Sequence, residues 1–456
     1  MRRQVQSKPE NLQPPPKKCK IIINEYISAG VSSMSDNGKI YKGNIVFTKE
    51  AQQFSCYESG YIVVKGGKVV DVFDRLPEAY AGVEVIDFEN RLIIPGFVDM
   101  HLHAPQFNNI GIGYDKELLP WLTAYTFPEE SKFADASYAE EVYAQFVDEL
   151  VRHGTTRAVI FATVHTAATE KLFEILAARG LGAFVGRVNM DRNGDCLTEN
   201  TADSLQETEE WIKQHLSPEA RIRPIITPRF TPSCTDELMQ GLGELAAKYN
   251  IPVQSHISEN LSEIEWVKEL VPAAKHYADT YDRFGLFGQT PTVMAHGIYL
   301  TDDEMELMRG NGVYAAHCPT SNMNIKSGIA PVRALLEKGV KVVLGTDISG
   351  GHSLSMPMVI MEAVQSSKLY MAMIDRDAAP LTMPEAFYMA TKAAGAFFAP
   401  SLVGSFEPGY DFDALVIDDS VLPGANARSL YERVERYIYA GSCSNIYKRF
   451  AFGKLI

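Results

Sequence analysis

Hydrophobic and polar positions divide this chain into three regions. Short strand-like runs separated by turn residues extend from about residue 39 to 94. From about residue 95 to 400, apolar runs of strand length alternate with helical patterns. Short strand-like runs occur again at 413–417 and after Arg436. Strands that alternate with helical segments are typical of βα units and a parallel sheet.

Eight strand candidates occupy the middle region. They end near His103, Phe161, Met190, Phe230, Glu259, Gly297, Pro319 and Ile348. Helical spacing between them covers residues 139–153, 169–179, 236–249 and 302–309. Eight consecutive βα units predict the α/β class and a (β/α)8 TIM barrel over residues 95–400.

The two chain ends predict a second structural unit. Both ends are rich in short strands and enclose a different middle, so we expect them to pair as a small discontinuous β-sandwich domain. Its two parts are residues 21–94 and 401–456. Residues 1–20 are basic, polar and rich in proline, a composition typical of a disordered tail.

Residues with chemical capacity close several of the predicted strands. A TIM barrel keeps its active site at the carboxyl ends of its strands. His101 and His103 stand two apart on one strand, so both imidazoles project from the same face. The polar residues that close apolar runs, or follow them closely, are His101, His103, His256, Glu259, His296 and Asp347.

This set of imidazoles and carboxylates predicts a metal centre at the barrel mouth. Three histidines and one aspartate suit zinc, with Fe²⁺ as the alternative, and leave a position for water. A metal ion lowers the pKa of such a water towards about 7, which favours hydrolysis at neutral pH. The fourth strand, RPIITPRF at 223–230, has no lysine to bridge two metals, so we expect one ion per subunit.

Composition narrows the choice of partners. The net charge of −14 argues against binding to nucleic acid or an anionic membrane, because phosphate recognition requires clustered Lys and Arg. No apolar stretch approaches the roughly 18 residues that span a bilayer, and no signal-peptide pattern opens the chain. The six cysteines are scattered without a CxxC motif, which favours a reducing compartment. We expect a cytoplasmic protein that acts on a small molecule.

Several motifs resemble those of the metal-dependent amidohydrolase superfamily. The segment PGFVDMHLHAPQ at 95–106 is similar to its signature for the first barrel strand, although Pro105 stands where a small residue is usual. Other segments resemble the guanine deaminases of the barrel type in order and spacing, from about residue 90 to 400. They are LPWL at 119–122, YTFPE at 125–129, TPRF at 227–230, SHISE at 255–259, MAHG at 294–297 and GTDISGG at 345–351.

The resemblance implies a metal site and a catalytic set. The residues that match zinc ligands are His101, His103, His256 and Asp347. Glu259 matches the proton carrier, which also contacts the substrate, and His296 matches the residue that orients the nucleophilic water. Asp347 shares in the catalytic proton relay. The implied reaction converts guanine and water to xanthine and ammonia, and the implied assembly is a homodimer.

The resemblance also implies a substrate pocket. Gln106, Arg229 and the Phe230 backbone match positions that hold the purine. Arg229 can donate to the oxygen on carbon 6 of guanine, where adenine would leave the guanidinium unpaired. Stacking on the purine is expected from Phe230 or Trp121. The alternatives are a strand-end salt bridge for Arg229, an indirect supporting role for Gln106 and ordinary packing for the two aromatic rings.

Two other functions are compatible with the sequence. One is a related aminohydrolase that acts on cytosine, a triazine or an adenine-bearing thioether nucleoside. The other is a scaffold protein derived from such a barrel, for which the loss of a metal ligand would be the signal. The zinc deaminases with a PCxxC signature belong to another fold, and this chain has no such motif.

Overall fold

The structure is a computed structural model that describes residues 38–217, 220–424 and 426–456. The predicted tail at 1–20 lies outside the described residues. The strands are β1 (Lys39–Glu50), β2 (Gln53–Lys65), β3 (Lys68–Phe73), β4 (Val85–Pro95), β5 (Phe97–His103), β6 (Thr155–Phe161), β7 (Gly182–Gly186), β8 (Val188–Asn189), β9 (Ile222–Pro224), β10 (Thr227–Pro228), β11 (Val253–Ile257), β12 (Thr292–His296), β13 (Tyr314–His317), β14 (Lys341–Leu344), β15 (Ala414–Ile417), β16 (Ile446–Ala451) and β17 (Lys454–Leu455).

The four predicted helical segments all lie within helices of the structure. Described α-helices are Leu118–Trp121, Phe127–Glu130, Ala136–His153, Thr166–Arg179, Thr201–His215, Asp236–Tyr249, Leu261–Leu270, Asp279–Asp282, Asp302–Asn311, Pro319–Asn324, Val332–Glu337, Met356–Met373, Met383–Met389, Lys392–Gly395 and Leu430–Ala440. Within the described ranges, no helix combines the length and the hydrophobicity that a bilayer span requires.

Two four-stranded parallel sheets form the middle of this α/β chain, in the orders β5-β6-β7-β9 and β11-β12-β13-β14. Backbone hydrogen bonds join them along both borders. On one side, Ile226 donates to the Pro252 carbonyl at 2.9 Å and accepts from Gln254 at 2.9 Å. On the other, Asp347 N–H donates to the His101 carbonyl at 2.8 Å. The carboxyl ends of all these strands therefore face one region.

Apolar packing explains why the strands read as continuous hydrophobic runs. Every residue of β5 and β6 is buried, because helices cover one face and an inner cluster fills the other. The inner cluster includes Val98, Phe184 and Val343 from three strands, together with Phe397 and Phe398. The histidines of β5, β11 and β12 lie at or near the carboxyl ends of these strands.

The third and fourth predicted strands are shorter than their apolar runs. The predicted run to Met190 divides into β7 and β8, and the run to Phe230 divides into β9 and β10. β8 and β10 pair with each other in a separate two-stranded sheet. Pro228 carries no N–H for a further ladder bond, so the proline within the motif limits the pairing.

The two chain ends share one seven-stranded sheet, in the order β17-β16-β15-β4-β1-β2-β3. β4 lies between parallel β1 and antiparallel β15, which places the last part of the chain beside the first. An aromatic cluster covers this sheet, with the ring of Tyr41 stacked on Phe412 at 4.6 Å.

The expectation of strand structure after Arg436 is confirmed only from Ile446 onward. Helix Leu430–Ala440 continues through this segment, and β16 begins only at Ile446. The buried residues of the helix recur at three- and four-residue intervals, as Leu430, Val434, Tyr437 and Ile438. A capping box between Ser429 and Glu432 fixes its start.

Candidate active site

A buried cluster of imidazoles and one carboxylate lies at the carboxyl ends of the parallel strands. His101 and His103 end β5, and their Nε2 atoms lie 3.2 and 3.3 Å from Asp347 Oδ1. The Nε2 atoms of His103 and His256 face each other at 3.1 Å. The four predicted metal ligands, His101, His103, His256 and Asp347, are thus brought together.

The donor atoms of this cluster fit a metal ion. Nδ1 of His256 lies 2.6 Å from the Arg229 carbonyl, so we assign the proton to Nδ1 and a free lone pair to Nε2. Nε2 of His101 is buried, and among the described residues it makes no well-aligned hydrogen bond, although Asp347 Oδ1 lies 3.2 Å away. Potential ligand atoms of His101, His103 and Asp347 all lie within 4.8 Å of one another. Converging imidazole and carboxylate donors of this kind suit a borderline divalent cation.

Burial and mutual contact set the protonation of these ligands. Burial lowers the pKa of His103 to about 4 and that of His256 well below its usual range, which keeps both rings neutral. Burial opposes ionisation of Asp347, but the neighbouring His101 and His103 outweigh it and hold the pKa of that carboxyl well below its ordinary value. Neutral imidazoles and an ionised carboxylate are the forms that ligate metals.

Asp99 connects the two strands that supply most of the ligands. Its carboxylate accepts from the Thr346 N–H at 3.0 Å and from Thr346 Oγ1 at 2.5 Å. The His101 N–H lies 3.4 Å from the same carboxylate. Asp99 therefore fixes the backbone beside His101 and beside Asp347 at once. Burial raises the pKa of Asp99 to about 7.

Unusual backbone conformations aim two side chains into the site. His296 at the end of β12 has φ +74°, and Asp347 just after β14 has φ +49°. Both values lie in the left-handed region that non-glycine residues rarely adopt, and such conformations cluster at functional sites. His296 Nδ1 lies 2.9 Å from Asn322 Oδ1, which leaves Nε2 facing Glu259 Oε2 at 3.3 Å.

The surroundings of Glu259 favour its protonated form. Burial, with the nearby carboxylates of Asp347 and Glu263, raises its pKa well above the usual range. The Glu263 carboxylate accepts from the Glu259 N–H at 2.9 Å, and Ser327 Oγ donates to Glu259 Oε1 at 3.3 Å. These surroundings therefore bias the side chain towards carrying a proton beside the His/Asp cluster.

A pocket opens over the cluster. Polar and apolar groups converge in it from many elements. It is lined by His103, Gln106, Leu118, Trp121, Leu122, Arg229, Phe230, His256, Glu259, His296, Ile325, Asp347 and Gly350. All four residues expected to contact a substrate besides Glu259 are present. Trp121 is fixed by its indole N–H, which donates to the Ile112 carbonyl at 2.9 Å.

A buried ion pair forms one wall of this pocket. Both terminal nitrogens of Arg229 donate to Glu130, at 2.7 and 2.9 Å. Gln106 Nε2 donates to the same carboxylate at 2.9 Å. Arg229 thus has the salt bridge that was the alternative to substrate binding, and it lines the pocket as well.

Sequence similarity identifies the family. The profile described as Amidohydrolase family matches residues 92–449. This chain belongs to the amidohydrolase family. The matched residues include the strands that carry the His/Asp cluster. The α/β middle of this amidohydrolase therefore belongs with proteins that have TIM-barrel folds and metal-dependent activities.

Curated relatives of this amidohydrolase include several guanine deaminases. The enzyme of Dictyostelium discoideum is 42% identical over 82% of this chain and 84% of its own. That of Mus musculus is 40% identical over 80% and 83%, and that of Escherichia coli K12 is 33% identical over 88% and 91%. The amidohydrolase therefore spans most of the length of these relatives.

Solved structures give the same relationship. Guanine deaminase from C. acetobutylicum, with guanine bound in its active site, is 51% identical and superposes with a TM-score of 0.90, covering 92% of this amidohydrolase and all of that chain. The E. coli guanine deaminase superposes with a TM-score of 0.82 at 31% identity, covering 92% and 98%. An adenosine deaminase from Xanthomonas campestris with bound zinc shares the fold at 22% identity and a TM-score of 0.80, covering 91% and 92%.

Glu130, Asn322 and Glu263 are among the polar site residues that the sequence analysis missed. Glu130 and Asn322 contact the predicted side chains of Arg229 and His296, whereas Glu263 accepts from the backbone N–H of Glu259. Glu130 had a weak signal, since it directly follows the YTFPE motif. Asn322 and Glu263 lie in helical segments with no motif that separates them from surface residues.

Proposed function

We propose that this amidohydrolase hydrolyses guanine to xanthine and ammonia, with one zinc ion per subunit. The observation that carries the proposal is the convergence, in one buried pocket, of the His/Asp cluster with Arg229 and Gln106. Relatives at 33–42% identity are guanine deaminases, and a neighbour at 51% identity holds guanine. Fe²⁺ is the alternative ion, since it shares the preference for imidazole and carboxylate ligands.

In this proposal, His101, His103, His256 and Asp347 hold the metal. A bound ion would lower the pKa of a coordinated water towards about 7. Nε2 of His296 faces Glu259 and Asp347, so in this proposal it orients the water through a hydrogen bond. Gln106, Arg229 and Phe230 hold the purine, and Trp121 packs against it.

Glu259 supplies the acid. Its stored proton passes to ring nitrogen 3 as the water oxygen adds to carbon 2, which prevents negative charge from building up on the purine. One proton of the water then restores Glu259, while Glu259 and Asp347 move the other to the exocyclic amine. That nitrogen leaves as ammonia when its bond to carbon 2 breaks. Positioned acid–base catalysis of this kind contributes about 100- to 10,000-fold to the rate.

Recognition depends on Arg229. Part of its guanidinium is engaged by Glu130, and Nη1 also contacts Met190 Sδ at 3.8 Å. The N–H groups that remain would donate to the oxygen on carbon 6 of guanine. Adenine carries an amine at this position and would leave these donors unpaired. A buried donor without a partner discriminates by about 10,000-fold.

The first experiment measures xanthine and ammonia release from guanine, beside adenine, cytosine, a triazine and guanosine. Wild-type protein should act on guanine, and Asp347→Ala should lose turnover together with bound metal. Turnover of another amine in place of guanine would contradict the specificity argument while leaving the metal chemistry in place. Folded protein without metal and without turnover would favour the scaffold function.

We also propose a higher-order arrangement for the chain. The two parallel sheets would close as a (β/α)8 barrel over residues 95–400, and the shared seven-stranded sheet would form a composite β-sandwich domain from 21–94 and 401–456. Hydrogen bonds at both borders of the parallel sheets support closure. We expect a homodimer in the cytoplasm, and sedimentation at micromolar concentration tests the assembly state.

A further inference from the structure

The Arg229–Glu130 pair places a neutral group, instead of a bare cation, at one end of the pocket. The side chains of Arg229 and Glu130 are only 3% and 1% exposed. The two hydrogen bonds form a bidentate fork, the geometry in which guanidinium and carboxylate bind most specifically. The ring of Phe127 lies 5.1 Å from the guanidinium carbon and shields the pair further.

The same carboxylate sets the orientation of Gln106. Because Nε2 of Gln106 donates to Glu130, the amide oxygen is the atom left for other partners. It accepts from the Ser349 N–H at 3.3 Å. Without the Glu130 acceptor, the amide could turn over and present its NH₂ group in place of its oxygen.

We propose that Glu130 is a specificity-determining positioning residue, which neutralises Arg229 and fixes Gln106 so that the pocket accepts a neutral oxo-purine and disfavours a planar anion. This inference rests on the proposed guanine deamination. Glu130 acts through the two side chains that line the pocket, so its effect is on orientation and on charge. A bare guanidinium in the same place would attract carboxylates and ionised purines, since an opposite charge within about 4–6 Å favours an ionised group by tenfold or more.

The adjacent carboxylate provides a matched control. Glu129 is also buried, but it bonds away from the pocket, to Lys132 at 2.5 Å, to Asn108 at 3.3 Å and to the hydroxyl of Tyr138. Glu129→Gln therefore removes a carboxylate of the same helix without changing the charge beside Arg229.

The experiment compares wild-type holoenzyme with Glu130→Gln and Glu129→Gln. Calorimetry measures the dissociation constants of hypoxanthine, a neutral oxo-purine, and of urate, a planar anion at neutral pH. In Glu130→Gln, the preference for hypoxanthine over urate should fall about tenfold or more, and kcat/KM for guanine should fall about 100-fold because the positioning groups are released. Glu129→Gln should keep the wild-type preference.

An unchanged preference in folded Glu130→Gln would overturn the inference. Should that variant not fold, Arg229→Gln provides the opposite test: it leaves Glu130 without its cation, so discrimination against urate should increase, and an unchanged ratio there would equally overturn it. The binding ratio does not depend on turnover. If wild-type protein does not deaminate guanine, the proposed function is refuted. The dissociation constants of hypoxanthine and urate would still test the effect of Glu130 on the charge of the pocket.

Discussion

The carboxamide of Asn322 determines which nitrogen of His296 carries the proton. Nδ1 of His296 lies 2.9 Å from Asn322 Oδ1, so we assign the proton to Nδ1, and Nε2 is the nitrogen turned to Glu259. Asn322→Ala should lower kcat for guanine about 10- to 100-fold, the usual effect of losing a group that orients a site histidine. Metal analysis of the same preparations should give wild-type content. Unaltered kcat would mean that His296 needs no such support.

Asp99 predicts a specific pH dependence of stability. The pKa of its carboxyl is raised by burial from an ordinary 3.8 to about 7, so in that interval the folded protein holds a proton that the unfolded chain has released. Raising the pH through this window should lower the free energy of unfolding, by up to about 1.4 kcal/mol per pH unit. Below the ordinary pKa of 3.8, Asp99 is protonated in both the folded and the unfolded state. The free energy of unfolding then no longer changes with pH through this residue.

The measurement is urea unfolding of metal-free protein between about pH 4 and 7, since a bound cation would itself change the ionisation of Asp99. Asp99→Asn imitates the protonated acid and should remove this component of the slope. If wild type and variant have parallel profiles, Asp99 is ionised throughout the interval.

Residue types at strand ends could be predicted from the sequence because parallel strands bring their carboxyl ends together. His101, His256 and Asp347 follow from that rule alone. Glu130 does not, since its contact with Arg229 joins residues 99 positions apart through a helix whose placement no local pattern specifies. The predicted substrate contacts remain predictions, because a side chain that lines a pocket need not bind the ligand.

Helix ends show how elements are fitted to one another. Gly154 and Gly180 end two successive helices in the left-handed region, with φ +85° and +76°. A Cβ at Gly154 would lie 2.7 Å from Leu415 Cδ1, whereas a Cβ at Gly180 would come no closer than 3.4 Å to Ile456. The first helix end is therefore packed tightly against β15, and the second is not.

This difference can be measured with two alanine variants. Gly180→Ala should destabilise by about 1–2 kcal/mol, the energy of a left-handed residue with a side chain. Gly154→Ala should lower the free energy of unfolding by about 1–3 kcal/mol more than Gly180→Ala does, because the extra methyl overpacks a buried site. Thermal unfolding compares the pair, and equal losses would show that Leu415 yields without strain.

At the level of elements, bounds were predicted best where the helix ends are set by local features. Helix Asp236–Tyr249 has the bounds that its pattern indicated, because an apolar stripe and its caps are local features. The segment after Arg436 was misread because aromatic residues favour strands in general, while their spacing here favours a helix. Spacing was the better guide.

At the scale of the whole molecule, Arg157 connects the parallel sheets to the shared seven-stranded sheet. It projects from β6, is 1% exposed, and pairs with Asp411 and Asp413 at 3.1 Å each. Its guanidinium also lies 3.4 Å from the ring centroid of Phe452. One side chain thus holds together segments from the middle and from the end of the chain.

Arg157→Ala should lower the free energy of unfolding by about 3–5 kcal/mol, because it leaves two buried carboxylates without their positively charged partner. Arg221 is a matched control: its guanidinium also lies over Phe452, at 4.2 Å, but its side chain is exposed. Arg221→Ala should lose less than about 1 kcal/mol. Urea unfolding tests both, and similar losses would mean that the ion pairs contribute little.

The position of β4 has a consequence for how this protein is made. One of its edges pairs with β1, which has already been synthesised, but the other waits for β15, more than three hundred residues later in the chain. A nascent chain on the ribosome must therefore carry an open, apolar strand edge while its entire middle emerges. Truncation before residue 414 would make that transient exposure permanent, so quality control should remove such fragments even when their metal ligands are all present.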